Sequence, residues 1–515
     1  MATPAENLAR SLEALKQLQE AGKVAIRSAD LSRTNRERLL QNGFLQEVTK
    51  GWYIAKPANE QPGDSTSWYA SFWAFCAGYL DERYGNNYFI SPDQSLLLHA
   101  GNRSVPLQLM IRTTAKTNHN TPLPFHTSLW HGQAPVPEAA SFMKLQGLRM
   151  MDVASSLVYC TPGLFTLKQA EVRTALAMVP DATELNRILL QGGHSAIAGR
   201  LAGAFRSLGK QRMANDILKT MQSVGYAVRE TNPFETLAPA PFLVTERSPH
   251  VNRIRLLWQE MRQPVLQVFP PAPALPVQKE TYLQQVDALY TTDAYHSLSI
   301  ERYQVTPELI ERVRSGNWDV HNNATDRQQR DAMAARGYWQ ASQRVKQSIA
   351  RILDGENAGT VADADYGDWY RELFAPSVQA GLIPAADLAG FRNKQVFISG
   401  SRHVPPGNEA VREIMPVLME LLQQERDAGV RAVLGHFLFG YIHPYIDGNG
   451  RMARFLMNVM LASGGYPWTV IPVQHRSTYM QALEQASVER NIEPFAQFLA
   501  WLVGESLKGE AVARV

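Results

Sequence analysis

Residues 443–454 read His-Pro-Tyr-Ile-Asp-Gly-Asn-Gly-Arg-Met-Ala-Arg, and each residue type brings its own chemical capacity. Gly448 and Gly450 lie within one tight turn, where successive backbone N–H groups can converge on an anion. A helix starting directly after the turn adds unpaired N–H donors and the positive end of its dipole. Arg451 and Arg454 stand three residues apart on that helix, so both guanidinium forks can aim at the same side of its mouth. Asp447 offers a carboxylate suited to hold a hard divalent cation such as Mg2+ against phosphate oxygens. His443, with an ordinary pKa of about 6.5, suits the removal of a proton from an attacking hydroxyl. Base, metal ligand and charge clamp together describe a polyphosphate site for group transfer, where positioning and charge neutralisation do most of the work. Taken singly, a histidine before proline is more often a cap or a packed residue, and Asp-Gly-Asn-Gly is commonly a surface turn.

The flanking sequence supplies the elements that must hold this loop. Residues 432–442 form a helix halted at Pro444, since proline has no N–H and disfavours helical geometry in its predecessor. A second helix follows over 449–462. Further helices are expected over 282–299, 307–315, 326–353, 365–380 and 409–427. Residues 396–406, VFISGSRHVPP, interrupt them and read as a short strand, a glycine turn and a return strand stopped by two prolines. Upstream, 263–276, QPVLQVFPPAPALP, is proline-dense enough to predict an extended polyproline connector. Between 61 and 234 helices (164–178, 196–224) alternate with short strands, 91–113 reading as strand-rich, and no chemical constellation stands out. At the front, helices over 8–20, 28–31 and 36–41 precede strands 44–48 and 52–55, joined at Lys50-Gly51. Helices followed by a small hairpin are the pattern of a winged helix-turn-helix.

With 515 residues the chain has length for several domains. The divisions read are 1–60, winged helix-turn-helix; 61–240, an α+β middle domain; 241–279, a connector; and 280–510, the helical domain carrying the loop. The fold class is mainly α. A formal charge of +3 neither demands nor excludes nucleic acid. Cys76 and Cys160 show no metal or disulfide spacing, which fits a reducing, cytoplasmic setting. No apolar run approaches the roughly 18 residues needed to span a bilayer, so a soluble protein without a membrane partner is expected.

The loop resembles the signature of the Fic family of nucleotidyl transferases, His-Pro-Phe-x-Asp/Glu-Gly-Asn-Gly-Arg-x-x-Arg, with Tyr445 in place of phenylalanine. The resemblance covers about 280–507 and implies an all-helical core with a short β-hairpin flap. It implies ATP as donor, AMP transfer to a Tyr, Ser or Thr hydroxyl of a protein, and release of pyrophosphate. Carried over by position, His443 is the base and Asp447 the Mg2+ ligand. Gly448, Asn449, Gly450 and Arg451 hold the α- and β-phosphates, and Arg454 holds the γ-phosphate. Tyr479 stands where the family often has a tyrosine near the nucleotide base. Val396, Phe397, Ile398, Ser399 and Gly400 correspond to the target-binding flap. His436, two turns before His443, reads as a structural histidine rather than half of a metal pair.

Upstream, Ser297-Leu-Ser-Ile-Glu301 resembles the family's inhibitory motif, Ser/Thr-x-x-x-Glu-Gly/Asn, with Arg302 where the family prefers Gly or Asn. Ser297 and Glu301 share one helix face. A carboxylate docked on Arg454 would occupy the clamp and spoil in-line donor geometry. At the other end, Arg33, Arg36 and Arg38 beside the candidate recognition helix, and Lys50 on the wing, could meet DNA phosphates, while the interleaved Glu37 and Glu47 leave protein docking or a purely structural role open. The segment through residue 113 loosely resembles AbiEi-type antitoxins, implying a regulatory module. The reading is a self-inhibited protein adenylyltransferase that also modifies itself. The alternatives are a DNA-binding regulator whose Fic unit senses nucleotide, and transfer of UMP or phosphate. Homo-oligomerisation and donor-base preference stay open.

Overall fold

The computed structural model describes residues 3–58, 60, 63–234, 248–273, 278–316, 330–510 and 512–515. Helices dominate, and the chain divides into two compact units. One comprises Met1–Arg253 with Phe397–Val404, the other Ile254–Val396 with Pro405–Val515.

In the second unit the helices Ala428–Ile442 and Asn449–Ala462 carry the loop between them. The first is apolar on every side and buried along nearly its whole length, as expected of a helix enclosed by others. Asp427 starts it by accepting from the backbone N–H of Val430. The second begins at Gly448, whose φ of 81° is left-handed. A Cβ at that glycine would lie 2.6 Å from the Phe374 ring, so backbone shape and packing both require its absence. Around the pair stand Lys279–Ile300, Arg330–Leu353, Ala358–Gln379 and Asn408–Gln424.

The connector departs from expectation. Helix Pro249–Val268 runs through Pro264, and the polyproline reading fails for 263–268. The helix forfeits one backbone hydrogen bond there, but Met261 and Val265, on one face, are buried. Residues 274–276 of that tract, and 326–329 at the start of an expected helix, lie outside the described residues.

The first unit opens with helix Pro4–Glu20, closed at its start by a reciprocal Thr3–Glu6 capping box. Strand Ile26–Arg27, helix Arg33–Gln41 and strands Leu45–Thr49 and Trp52–Ala55 follow. The sheet places Trp52–Ala55 between the other two strands. The expected helix at 28–31 is a turn, because the Asp30 carboxylate accepts from the Arg27 N–H and pairs with Lys23. A four-stranded sheet comes next, in the order Tyr88–Ile90, Gln108–Thr113, Ser128–Gln133, Asn118–Pro122. Within 91–113 only the last part is strand: Ser91 caps a helix, Pro92–His99, by accepting from the Gln94 N–H.

The flap turn forms, but its strands do not. The Ser401 N–H donates to Ile398 O at 3.1 Å, and Gly400 has φ 74°, while 396–406 show no strand pairing. Their backbone groups are engaged elsewhere: Val105 N–H donates to Arg402 O, and the Gln395 amide donates to Val396 O and Pro405 O. Pro405 and Pro406 have no N–H to give to a ladder.

Candidate active site

His443 closes helix Ala428–Ile442 in a left-handed conformation, φ 53°, a costly state for a non-glycine residue. Its Nδ1 lies 3.1 Å from Gly440 O, which fixes the tautomer with the proton there and leaves the Nε2 lone pair free. Burial pulls its pKa down to about 4, and the nearby Arg392 guanidinium adds to this. The ring is therefore neutral and ready to accept a proton at ordinary pH.

The main chain below His443 hangs on Arg392, a residue the sequence reading missed. This buried guanidinium donates to His443 O at 2.8 Å, to Lys394 O at 3.0 Å and to Pro406 O, while Arg392 N–H donates to Pro444 O. Burial lowers its pKa to about 10. Tyr445 stacks on Tyr370, ring centroids 3.7 Å apart and nearly parallel, so the hydroxylated ring fills its place beneath the loop. Asn449 spends both ends of its amide on Tyr445, accepting from its N–H and donating to its O, each at 2.9 Å. Only the backbone of Asn449 remains for a ligand.

The donors around the turn are poorly satisfied, as an anion site requires. Among the described residues, Arg454 Nη1 and Arg451 Nε and Nη2 are buried without a hydrogen-bond partner. Arg451 lies between the rings of Tyr303 and Phe374, 5.1 and 4.9 Å from their centroids. Asp447, 59% exposed, accepts from the Gly448 N–H at 2.6 Å and stands 3.6 Å from Arg451. One exposed carboxylate beside unpaired phosphate-type donors suits a Mg2+ that keeps most of its waters and takes its other ligands from a bound polyphosphate. No group of three or more potential protein metal ligands occurs among the described residues.

Arg454 is 4% exposed and is engaged by Ser297, Glu301 and Tyr479. Its Nε donates to Ser297 Oγ at 2.8 Å; its Nη2 donates to Ser297 O at 3.0 Å and to Glu301 Oε1 at 2.8 Å. Burial alone would raise the Glu301 pKa, but the charge and hydrogen bond of Arg454 and the charge of Arg451 outweigh it and hold the carboxyl below its ordinary value. A Cβ on Gly450 would lie 2.2 Å from Glu301 Oε1 and 3.2 Å from Arg454 Nη1. The carboxylate thus rests against the glycine turn itself.

The remaining candidates are placed differently. Tyr479 is buried, its hydroxyl 2.9 Å from His436 Nε2, and it packs beside Arg454. His436 is enclosed, with burial lowering its pKa to about 3. Of the flap residues, Val396 belongs to the unit of the loop. Phe397, Ile398, Ser399 and Gly400 belong to the N-terminal unit, where the Thr66 hydroxyl lies 3.1 Å from Ser399 Oγ.

Part of this chain is similar to known proteins. Residues 363–461 match the model of the Fic/DOC family. A protein of Drosophila willistoni named protein adenylyltransferase Fic is 29% identical over 226 residues, covering 43% of this chain and 40% of that protein. One of the same name from Drosophila ananassae is 41% identical over 124 residues, 23% of this chain and 24% of that protein. A solved structure described as Fic-1 (aa134–508) from C. elegans is 16% identical, with TM-score 0.37, covering 67% of this chain and 97% of that one. The chain spans about two fifths of the length of the curated relatives over the longer match. No helix among the described residues is long and apolar enough to cross a membrane. The loop of residues 443–454 lies inside the stretch, 363–461, that matches the Fic/DOC family model.

Proposed function

We propose that the protein is a protein adenylyltransferase that moves AMP from ATP to a Tyr, Ser or Thr hydroxyl of a target protein and of itself, and that Glu301 holds it in check. The observation that carries this reading is the position of the Glu301 carboxylate, on Arg454 and against Gly450 at once. An anion bound in an anion cradle implies a cradle built for anions. The curated relatives' name, protein adenylyltransferase Fic, supports the same chemistry.

In the reaction a target hydroxyl oxygen attacks the α-phosphorus of ATP. The bond from that phosphorus to the bridging oxygen breaks, pyrophosphate leaves, and His443 Nε2 takes the hydroxyl proton. The unpaired donors of Arg451 and Arg454 and the first-turn N–H groups of helix Asn449–Ala462 receive the phosphate oxygens. A divalent cation at Asp447 would neutralise phosphate charge there. While Glu301 stays seated, Arg454 cannot clamp the terminal phosphate and the donor lies out of line.

The test compares [α-32P]ATP with [γ-32P]ATP on Glu301→Gly. Protein label from the α position alone supports AMP transfer. Label from the γ position would make it a phosphoryl transferase, and preference for [α-32P]UTP a uridylyltransferase.

The N-terminal helix and hairpin support a second role, DNA docking as a winged helix-turn-helix. Contacts would fall to Lys50 and to Arg33, whose exposed guanidinium pairs with Glu37 at 2.7 Å, since Arg36 donates to Ser28 O and Arg38 to Asn7 O and Ser11 Oγ. Gel shifts with random duplexes at low salt check this. An Arg33→Glu, Lys50→Glu variant that binds as well as the parent would remove the role.

A further inference from the structure

Behind the Arg454 guanidinium lies a buried carboxylate that neither the loop nor the Glu301 contact uses. Asp293, 5% exposed, sits one turn before Ser297 on helix Lys279–Ile300. It accepts from the Tyr338 hydroxyl at 2.6 Å. Tyr338, fully buried, interacts in turn with Ser297 and feels the charge of Arg454. Ser297 Oγ accepts from Arg454 Nε at 2.8 Å. The side chains follow in series, from Arg454 through Ser297 and Tyr338 to the Asp293 carboxylate. A buried carboxylate is costly unless it is paired or compensated, and the positive charge it faces is Arg454.

The direction of the guanidinium follows from these contacts. Withdrawal of Glu301 would free part of Nη2, whereas the bonds from Nε to Ser297 Oγ and from Nη2 to Ser297 O would persist. Nη1, unpartnered among the described residues, faces the Gly450 turn.

We propose that Asp293, acting through Tyr338 and Ser297, is a positioning residue for Arg454, keeping Nη1 aimed at the phosphate turn after Glu301 has left. The helix then stays seated during activation, and only its terminal glutamate moves. This inference rests on the reading that Arg454 clamps the terminal phosphate of the donor.

Two substitutions that preserve shape, Tyr338→Phe and Asp293→Asn, are made in the Glu301→Gly background, with thermal melting to confirm folding. Calorimetry then measures ATP and ADP affinity side by side, because ADP lacks the phosphate assigned to Arg454. Loss of one hydrogen bond to a charged group predicts about tenfold weaker ATP binding, with ADP affinity unchanged. The KM for ATP should rise by a similar factor, with kcat at saturating ATP less affected. Equal losses for ATP and ADP, or no loss for either, overturn the positioning role. If Glu301→Gly binds ATP yet transfers no label, the adenylyltransferase reading fails, while the ATP–ADP difference still decides the relay. If Glu301→Gly binds no ATP, both fall.

Discussion

At the scale of single residues, the roles divide between groups that act and groups that hold them still. As the proposed base His443 would act only when neutral, and burial has moved its pKa down to about 4. The sign follows directly. A base with a lowered pKa keeps its working form as pH falls, until the lowered value is reached. Because Glu301 itself raises the His443 pKa, the acidic limb of kcat/KM for Glu301→Gly should lie at or below about pH 4, with a flat profile between about pH 6 and 8. An acidic limb near the ordinary histidine value of about 6.5 would contradict this. Glu301 behaves in parallel. Its lowered pKa keeps the carboxylate charged throughout the same range, so under the proposed restraint basal labelling by the wild type should not rise as pH falls from 8 to 6. Much of this was legible in the sequence, because a short run of residues holds the acting groups. The holding groups were not. Arg392 is one arginine among many, and Asp293 and Tyr338 meet only because two helices pack. The side chain of Asn449 likewise serves the loop rather than a ligand, which its motif position does not reveal.

At the scale of elements, the end of helix Lys279–Ile300 explains what Arg302 changes. Arg302 N–H donates to Ser299 O and Tyr303 N–H to Leu298 O, the paired bonds of a Schellman ending. Such an ending places one residue in the left-handed region, and Arg302 has φ 66°. Glycine and asparagine tolerate that conformation; arginine adopts it at a cost. Arg302→Gly is therefore expected to stabilise the unit by about 1 kcal/mol in denaturant unfolding and to lower basal labelling, because the turn carrying Glu301 becomes firmer. A destabilised variant, or one with more label, would contradict this. The long helices were legible from their apolar periodicity. The polyproline reading of 263–268 failed because burial outweighed a local rule, and the flap strands failed because their hydrogen bonds go to other partners. Neither kind of competition can be read from a local window of sequence.

At the scale of the whole molecule, the flap segment Phe397–Val404 counts with the N-terminal unit although it is flanked on both sides by the other. Val404 is buried in the cluster built around Trp68, Phe72 and Phe75, with Phe397 packed against it, and Val105 N–H reaches Arg402 O. Hydrogen exchange should then show the Val105 amide protected to the same degree as the strands of its own unit. Exchange at the rate of a free loop would contradict that packing. The N-terminal unit contributed the least to the sequence reading, because its elements are short and few of its residues carry chemistry.

The central claim is that the loop is competent and that Glu301 restrains it through Arg454. The most direct measurement incubates wild type, Glu301→Gly and the double variant Glu301→Gly, His443→Ala with [α-32P]ATP and Mg2+, and follows label in protein over time. Strong labelling by Glu301→Gly is expected, with at least about tenfold less for the wild type, as loss of one charged clamp implies, and none for the double variant. Equal labelling by wild type and Glu301→Gly, both folded, would contradict the restraint, and label persisting without His443 would contradict the site.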